Sequence, residues 1–468
     1  MLHPWAIIFL LLLTPAHGSF GSNILNKVVI DTPDAGQLHS RLQQAGVDVG
    51  HAPLGKQVVA FVLNISELTP LLNRDDIIVS RNETQNFADE LQGYFDPEMV
   101  RNELSRLAEK YSGYAALHDI ANFVGLDDKS TFEGRRLWAL QVTKKPGQLT
   151  PRRKVMIIGQ HHAREVMTPH AVLDAAADLL AKVHSGEPEA EDLKKTAVWF
   201  VPTVNPDGAA HVFAGDRWWR KNRRENPDGS FGVDTNRNYE FGWGECGRFS
   251  HSPRSQTYLG PSKASEPEVI LMDALNKLLK AQYVISYHSH GNEVLYPYRC
   301  GHITGDKEIY DESRDRLAAL LGYGKRRASS SGEDFEHHFA RHGSISFLLE
   351  IGESFQPSFS QYKNAVRPVV LQVLPFLMSE LAEPALAIEV VDRFTGRGLE
   401  GVEVALAEAV LSSFEIRKTD TFGIHRRRLP VGVYSVDLEK PGYLRKTTFI
   451  AVSSENKLNK VYLEPAQQ

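Results

Sequence analysis

The stretch Val155-Met156-Ile157-Ile158-Gly159-Gln160-His161-His162-Ala163-Arg164-Glu165 joins a short, non-alternating apolar run to a cluster of residues capable of chemistry. An apolar run with no polar side belongs in a sheet covered on both faces. The pattern recurs: residues 198–201, 283–287 and 346–350 read as buried strands, and residues 171–183 and 269–279 carry helical apolar spacing. Residues 90–380 are therefore expected to form an α/β domain on a mostly parallel sheet, with its site at strand ends.

Outward from this region the pattern changes on both sides. Residues 24–85 alternate strand-like and helical segments (28–30, 38–44, 58–63, 68–72, 77–79), predicting a small α/β or α+β unit. Asp96 as N-cap, Pro97 at the first helical position and Glu98 beside it announce the next helix, with Met99, Val100, Leu104 and Leu107 on its apolar face. Residues 384–468 read as an all-β sandwich, with Val402, Val404 and Leu406 on one face and Tyr434, Val436 and Leu438 on another. At the start, an apolar run at 6–13 leads to Ala16-His17-Gly18, so residues 1–18 read as a signal peptide of a secreted or periplasmic protein. No later segment is expected to span a membrane.

A chain of 468 residues suggests two or three domains. Its net charge of −5, with no long run of one sign, excludes the footprint of a nucleic-acid binder. The short clusters Lys325-Arg326-Arg327 and Arg426-Arg427-Arg428 read as solvated surface. Only two cysteines occur, Cys246 and Cys300, so a single bridge is the most the chain can form, and its formation depends on a Cα separation that sequence does not give. Asn64-Ile65-Ser66 and Asn82-Glu83-Thr84 match the glycosylation acceptor of a eukaryotic secreted protein.

His162 and Glu165 at a three-residue spacing can give two ligands to one metal, a weak signal alone. A third candidate is His288, which follows another buried run in Ser286-Tyr287-His288-Ser289-His290-Gly291. Two imidazoles and a carboxylate leave a position open for water, whose pKa zinc lowers to about 7. Glu350, ending the run at 346–349, is either a base for that water or a surface carboxylate at a strand end.

Taken together, His162-x-x-Glu165, Trp219-Arg220-Lys221, Asp234-Thr235-Asn236-Arg237-Asn238, His288-Ser289 and Leu349-Glu350-Ile351-Gly352 resemble the zinc carboxypeptidases of the pancreatic carboxypeptidase A type, over about residues 90–380. The resemblance implies a mixed sheet of eight strands with helices on both faces. It implies one zinc ion on His162, Glu165 and His288, with Glu350 as general base and Arg220 at the scissile carbonyl. Asn236 and Arg237 would grip the terminal carboxylate of a peptide or protein, Arg164 would meet substrate carbonyls further along, and His290 would line the pocket. The tail, through Thr419-Asp420-Thr421-Phe422-Gly423 and Leu429-Pro430-Val431-Gly432-Val433-Tyr434, resembles the transthyretin-like domain of regulatory-type carboxypeptidases, and residues 24–85 would be propeptide-like.

The chain also departs from that family. Residues 327–332 lack the Tyr that commonly closes over substrate, and Ala328 falls near its position. Two positions bear on specificity: Arg299, after Tyr296-Pro297-Tyr298, and Phe335 at the pocket floor. An Arg299 facing the pocket predicts preference for acidic terminal residues; the alternative leaves it at the rim or paired with Glu293. Two rival functions share these residues: an amidohydrolase, deacylase or peptidoglycan stem-peptide peptidase, and a non-catalytic peptide-binding protein.

Overall fold

The computed structural model describes residues 26–45, 47–49, 56–62, 65–73, 76–83, 91–408 and 411–466. The expected leader at 1–18, Asn64 and Thr84 lie outside them.

Strand Arg153–Gly159 lies near the middle of an eight-stranded sheet. From edge to edge the order is Gly324–Arg327, Glu293–Tyr296, Ile345–Glu350, Tyr283–His288, Arg153–Gly159, Thr196–Val201, Trp138–Val142 and Ala115–Asp119. The four inner strands, from Ile345–Glu350 to Thr196–Val201, are mutually parallel. Antiparallel pairing begins on either side of them, so the sheet is mixed. Nearly every residue of these four strands is buried, which is why their sequences show no alternation.

Helices cover both faces. Pro97–Lys110, Thr168–His184, Lys307–Leu321 and Val373–Ala382 contribute to the core on one side, and Pro267–Leu279 to the core on the other. The Asp96 side chain accepts the Met99 N–H at 2.8 Å, capping Pro97–Lys110 as its sequence predicts. Parallel register sets Glu350 beside His288 and Gly159 beside Tyr287, bringing the carboxyl ends of three strands to one level.

Against expectation, the helical run Phe359–Ala382 is long and apolar enough to cross a bilayer by length and composition. Its Val370, Leu374, Leu377 and Leu381 join the buried core of the α/β domain instead.

The first unit is α+β: four antiparallel strands, in the order Asp48–Val49, Gln57–Val62, Asn26–Asp31 and Ile77–Glu83, with helix Ala35–Gln44. Strand Gln57–Val62 alternates strictly. Val58, Ala60 and Val62 join Leu38 and Leu42 in the unit's core, and Val59 and Phe61 face the other way.

The tail forms two three-stranded sheets, Ile424–Arg428, Ala385–Asp392, Asn459–Leu463 and Glu403–Leu406, Gly432–Glu439, Lys446–Val452, around a common core. Val404 pairs with Leu438 and Leu406 with Val436, so the two apolar sets expected on different faces share one.

The basic cluster at 426–428 is not solvated surface. Arg427 donates from Nε to Asp306 Oδ1 at 2.8 Å, and Arg417 Nη2 lies 3.4 Å from Asp306 Oδ2, with both arginine side chains almost wholly buried. Arg428 donates to Glu380 Oε2 at 2.6 Å. These arginines tie the sandwich to the helices of the α/β domain. Asp306→Ala is expected to destabilise the full chain by about 3–5 kcal/mol, because two buried guanidiniums lose their carboxylate. Urea unfolding measures this, and a loss below about 1 kcal/mol would show the tie to be dispensable.

Candidate active site

The chain leaves strand Arg153–Gly159 through a constrained turn. A Cβ at Gly159 would stand 3.1 Å from the carbonyl oxygens of both Pro202 and Thr168, so only glycine passes between them unstrained. Gln160 follows with φ of 58°, a conformation costing a non-glycine residue about 1–3 kcal/mol. Three bonds hold it: its N–H donates to Thr168 Oγ1 (3.0 Å), its Nε2 to Ala163 O (3.2 Å), and its carbonyl accepts from Asn205 N (3.1 Å). The turn sends His161 to the Tyr239 hydroxyl, 2.9 Å away, and His162 into a cavity of about 360 Å³.

Three side chains converge there. His162 Nδ1 is 2.8 Å from Glu165 Oε1, and His288 Nδ1 is 3.1 Å from both His162 Nδ1 and Glu165 Oε2. His162 is oriented from behind, its Nε2 meeting Asp234 Oδ1 at 3.1 Å, which leaves Nδ1 as the free lone pair. Burial, with Arg220 nearby, pushes His162 down to about 4, and burial holds His288 well below its ordinary range, so both imidazoles are neutral. Two neutral imidazole nitrogens and one carboxylate, all buried, fit zinc with a position left open.

Glu350 and Arg220 border the same cavity. Burial, reinforced by the charge of Glu165, pushes the Glu350 carboxyl well above the usual range. Arg220 is fixed by Asp234, whose Oδ2 accepts from its Nε at 3.1 Å and its Nη2 at 2.8 Å. Asp234 thus orients a candidate metal ligand and a candidate electrophile together. Nothing in the neighbours of Asp234 in sequence separates it from a helix cap, so its task shows only in the structure.

Asn236, Arg237, Arg164 and His290 also line the cavity. Asn236 Oδ1 accepts the Asp334 N–H at 2.8 Å, and Arg237 pairs with Glu333 at 3.1 Å. Arg164 lies over the Phe355 ring, 4.1 Å from its centre, and His290 meets the same ring edge-on. Phe61 of the first unit touches both His290 and Phe355, and with Val59 it forms part of the cavity wall.

Two expected pocket residues sit elsewhere. Arg299 is exposed and off the cavity wall, its backbone N–H held by Glu336 Oε1 at 2.6 Å, and it does not pair with Glu293. Phe335 is fully buried beneath Leu295 and Leu348, which form the wall in its stead. Ala328 joins that cluster, so no ring stands at the missing Tyr. A further cation on the cavity wall, where Arg299 is not, is Arg326, from the other cluster read as surface. Its Nε is 2.5 Å from Glu293 Oε2, its Nη1 donates to Ser329 Oγ at 2.9 Å, and its Nη2 lies 3.8 Å from Glu350 Oε1. Cys246 and Cys300 are joined, with Cα atoms 5.7 Å apart.

The family model for zinc carboxypeptidases matches residues 101–362, more than half of the chain. The chain belongs to the zinc carboxypeptidase family. Zinc carboxypeptidase A 1 of Drosophila melanogaster is 31% identical over 254 residues, covering 52% of this chain and 55% of the relative. Carboxypeptidase B of Helicoverpa zea is 32% identical over 212 residues, 44% of this chain and 46% of its own length. An inactive metallocarboxypeptidase of Arthroderma benhamiae is 31% identical over 248 residues, 49% and 40% of the two chains. The chain thus spans about half the length of the curated relatives it matches. In fold it is similar to the solved thrombin activatable fibrinolysis inhibitor, with TM-score 0.63 and 19% identity over 76% of this chain and 98% of that one. It is likewise similar to carboxypeptidase A from Helicoverpa armigera, with TM-score 0.62 and 18% identity over 77% and 97%.

In a zinc carboxypeptidase with this arrangement, Asp234→Asn should lower zinc affinity by about 10–100-fold, because one amide oxygen cannot serve both His162 and Arg220 and the imidazole loses its anionic acceptor. Competition with a chelator measures it; unaltered affinity would show that Asp234 positions nothing.

Proposed function

We propose that this chain is a secreted exopeptidase that hydrolyses the last peptide bond of peptides or proteins, with one zinc ion held by His162, Glu165 and His288. The observation carrying this reading is that the donor set, Glu350, Arg220, Asn236 and Arg237 all border one cavity. Zinc, when bound, supplies a Lewis acid and lowers the pKa of water. Glu350, whose raised proton affinity suits a base, takes the proton of the attacking water and passes it to the leaving amine. Arg220 donates to the oxygen of the scissile carbonyl as charge builds on it. Asn236 and the Arg237 fork hold the terminal carboxylate and so measure the distance from the chain end.

Family membership alone does not decide activity, since an inactive relative is equally similar. Glu350→Gln is expected to lower hydrolysis by at least about 100-fold while zinc content stays the same. Undiminished turnover with full zinc rejects Glu350 as the base, whereas an unmutated chain that holds zinc and binds peptides without turnover favours the binding protein. Matched peptides and N-acylated amino acids distinguish the exopeptidase, which favours the peptides, from an amidohydrolase or deacylase on the same scaffold, which favours the acylated amino acids.

Arg326 supports a preference for acidic terminal residues in the role expected of Arg299. Cations crowd this side of the cavity: burial, with Arg326 and Arg237 close by, pushes Arg248 down to about 9, a repulsion that an anionic side chain relieves. Release of Glu should exceed release of Leu or Lys by about 10-fold, and Arg326→Met should erase the difference. Fastest release of Lys would assign the pocket to Glu293 and Glu333 instead.

The first unit, through Val59 and Phe61, acts as a propeptide-like cover over the cavity. The tail supports the α/β domain as a transthyretin-like module, and the Cys246–Cys300 bridge accords with an oxidising compartment.

A further inference from the structure

The register that gathers the candidate ligands at the carboxyl edge of the sheet gathers cations at its amino edge. The Arg153 N–H donates to Lys195 O at 3.0 Å and the Gln282 N–H to Lys154 O at 2.8 Å, so the starts of three neighbouring parallel strands lie side by side there. The sandwich packs against this edge and leaves a cleft of about 560 Å³, walled by Arg152, Arg153, Lys195 and Arg426 beside the small side chains of Ala385 and Ala387. A narrower part continues from it past Lys154, Lys280 and Lys418, with Arg152, Gln282 and Arg426 common to both.

Charge is unbalanced in this cleft. Two carboxylates, Asp420 and Glu455, stand among seven cations, in a chain whose net charge is −5. Lys154 lies 3.5 Å from Asp420, and Lys418 pairs at 2.8 Å with Glu403, which is not on the wall. Among the described residues, no carboxylate pairs with Arg152, Arg153, Lys195, Lys280 or Arg426. The arginines are instead held by backbone carbonyls: Arg152 by those of Lys194 (3.0 Å) and Lys144 (2.6 Å), Arg426 by that of Pro151 (3.0 Å), and Arg153 by that of Leu381. A carbonyl orients a guanidinium and leaves its charge uncancelled. Burial, with Arg417 close by, pushes Lys280 down to about 8, and burial pushes Arg426 down to about 10, so each gains from an anion brought alongside.

We propose that this cleft binds a linear glycan carrying sulfate groups. Cations spread along one track suit repeated anions on a single strand, and the arginine fork matches a tetrahedral oxyanion. No Phe, Tyr or Trp lines either part among the described residues, so nucleobases have no such ring on which to stack. A sugar chain needs none. Its hydroxyls meet Gln282, whose Oε1 has no hydrogen-bond partner among the described residues. The cavity that holds His162 and His288 opens at the opposite edge of the sheet, so the glycan site rests on no step of the proposed hydrolysis.

The test is calorimetric titration of the full chain with heparin at about 0.15 M salt, where exposed charges are already screened beyond roughly 8 Å. Binding is expected, weakening as salt rises, and its absence overturns the proposal. The double variant Lys195→Gln, Lys280→Gln, whose side chains hold no ion pair, should bind about 10-fold more weakly with no loss of Tm. Arg326→Met, in the other cavity, should bind heparin as the wild type does. A double variant with undiminished binding, or an equal loss in Arg326→Met, overturns the assignment to this cleft. Equal affinity for oligothymidylate of matched length makes the cleft a general polyanion binder, and saturation by inorganic sulfate at the same concentrations makes it a single-ion site; either result overturns the glycan. If the double variant does not fold, as circular dichroism would show, Lys195→Glu on the exposed rim decides alone: weakened binding supports the cleft and unchanged binding rejects it.

Discussion

The carboxylate of Asp234 is the constraint on which the rest of the cavity depends. It is fully buried, and burial alone would raise its proton affinity. The charges of Arg220 and Arg237 and the bond from His162 outweigh that and keep it ionised. One oxygen then fixes the tautomer of His162 and the other fixes the guanidinium of Arg220, so two functional groups from different loops are oriented by one anion. Its Oδ1 also accepts the Asn236 N–H at 3.0 Å, which adds the segment of Asn236 and Arg237 to the same anchor.

That anchor works because the backbone has already delivered the candidate ligands to one place. His162 and His288 lie 126 residues apart, and neither could find the other without the parallel register of neighbouring strands. The left-handed turn at Gln160 is the local strain that the converging site requires, and it is balanced by hydrogen bonds from three surrounding segments.

The inner strands were legible in the sequence because both their faces are covered, and a strand buried on both sides has an unmistakable apolar run. The three converging side chains that could hold a metal stood out in the sequence because each follows such a run. Buried charge was not. Arg326, Arg427 and Arg428 sit in clusters whose composition matches a solvated surface, and their partners Glu293, Asp306 and Glu380 are remote in sequence. Arg299 shows the converse: its position beside Tyr298 suggested the pocket, yet its backbone is captured by Glu336 and its side chain is left outside. Phe335 was placed at the right depth of the fold but one layer too near the substrate, because sequence order cannot tell a wall from the residue behind it. The run at Phe359–Ala382 carries enough apolar residues for a bilayer, and only tertiary contacts reveal that they serve a protein core.

Strand Gln57–Val62 does two jobs with one two-residue rhythm. A slip of a single position in its pairing would exchange the sets, turning Phe61 inward against Leu38 and presenting Ala60 and Val58 to the neighbouring domain. Neither face is free to drift on its own. The core of the small unit and its share of the cavity wall are therefore gained or lost in one step.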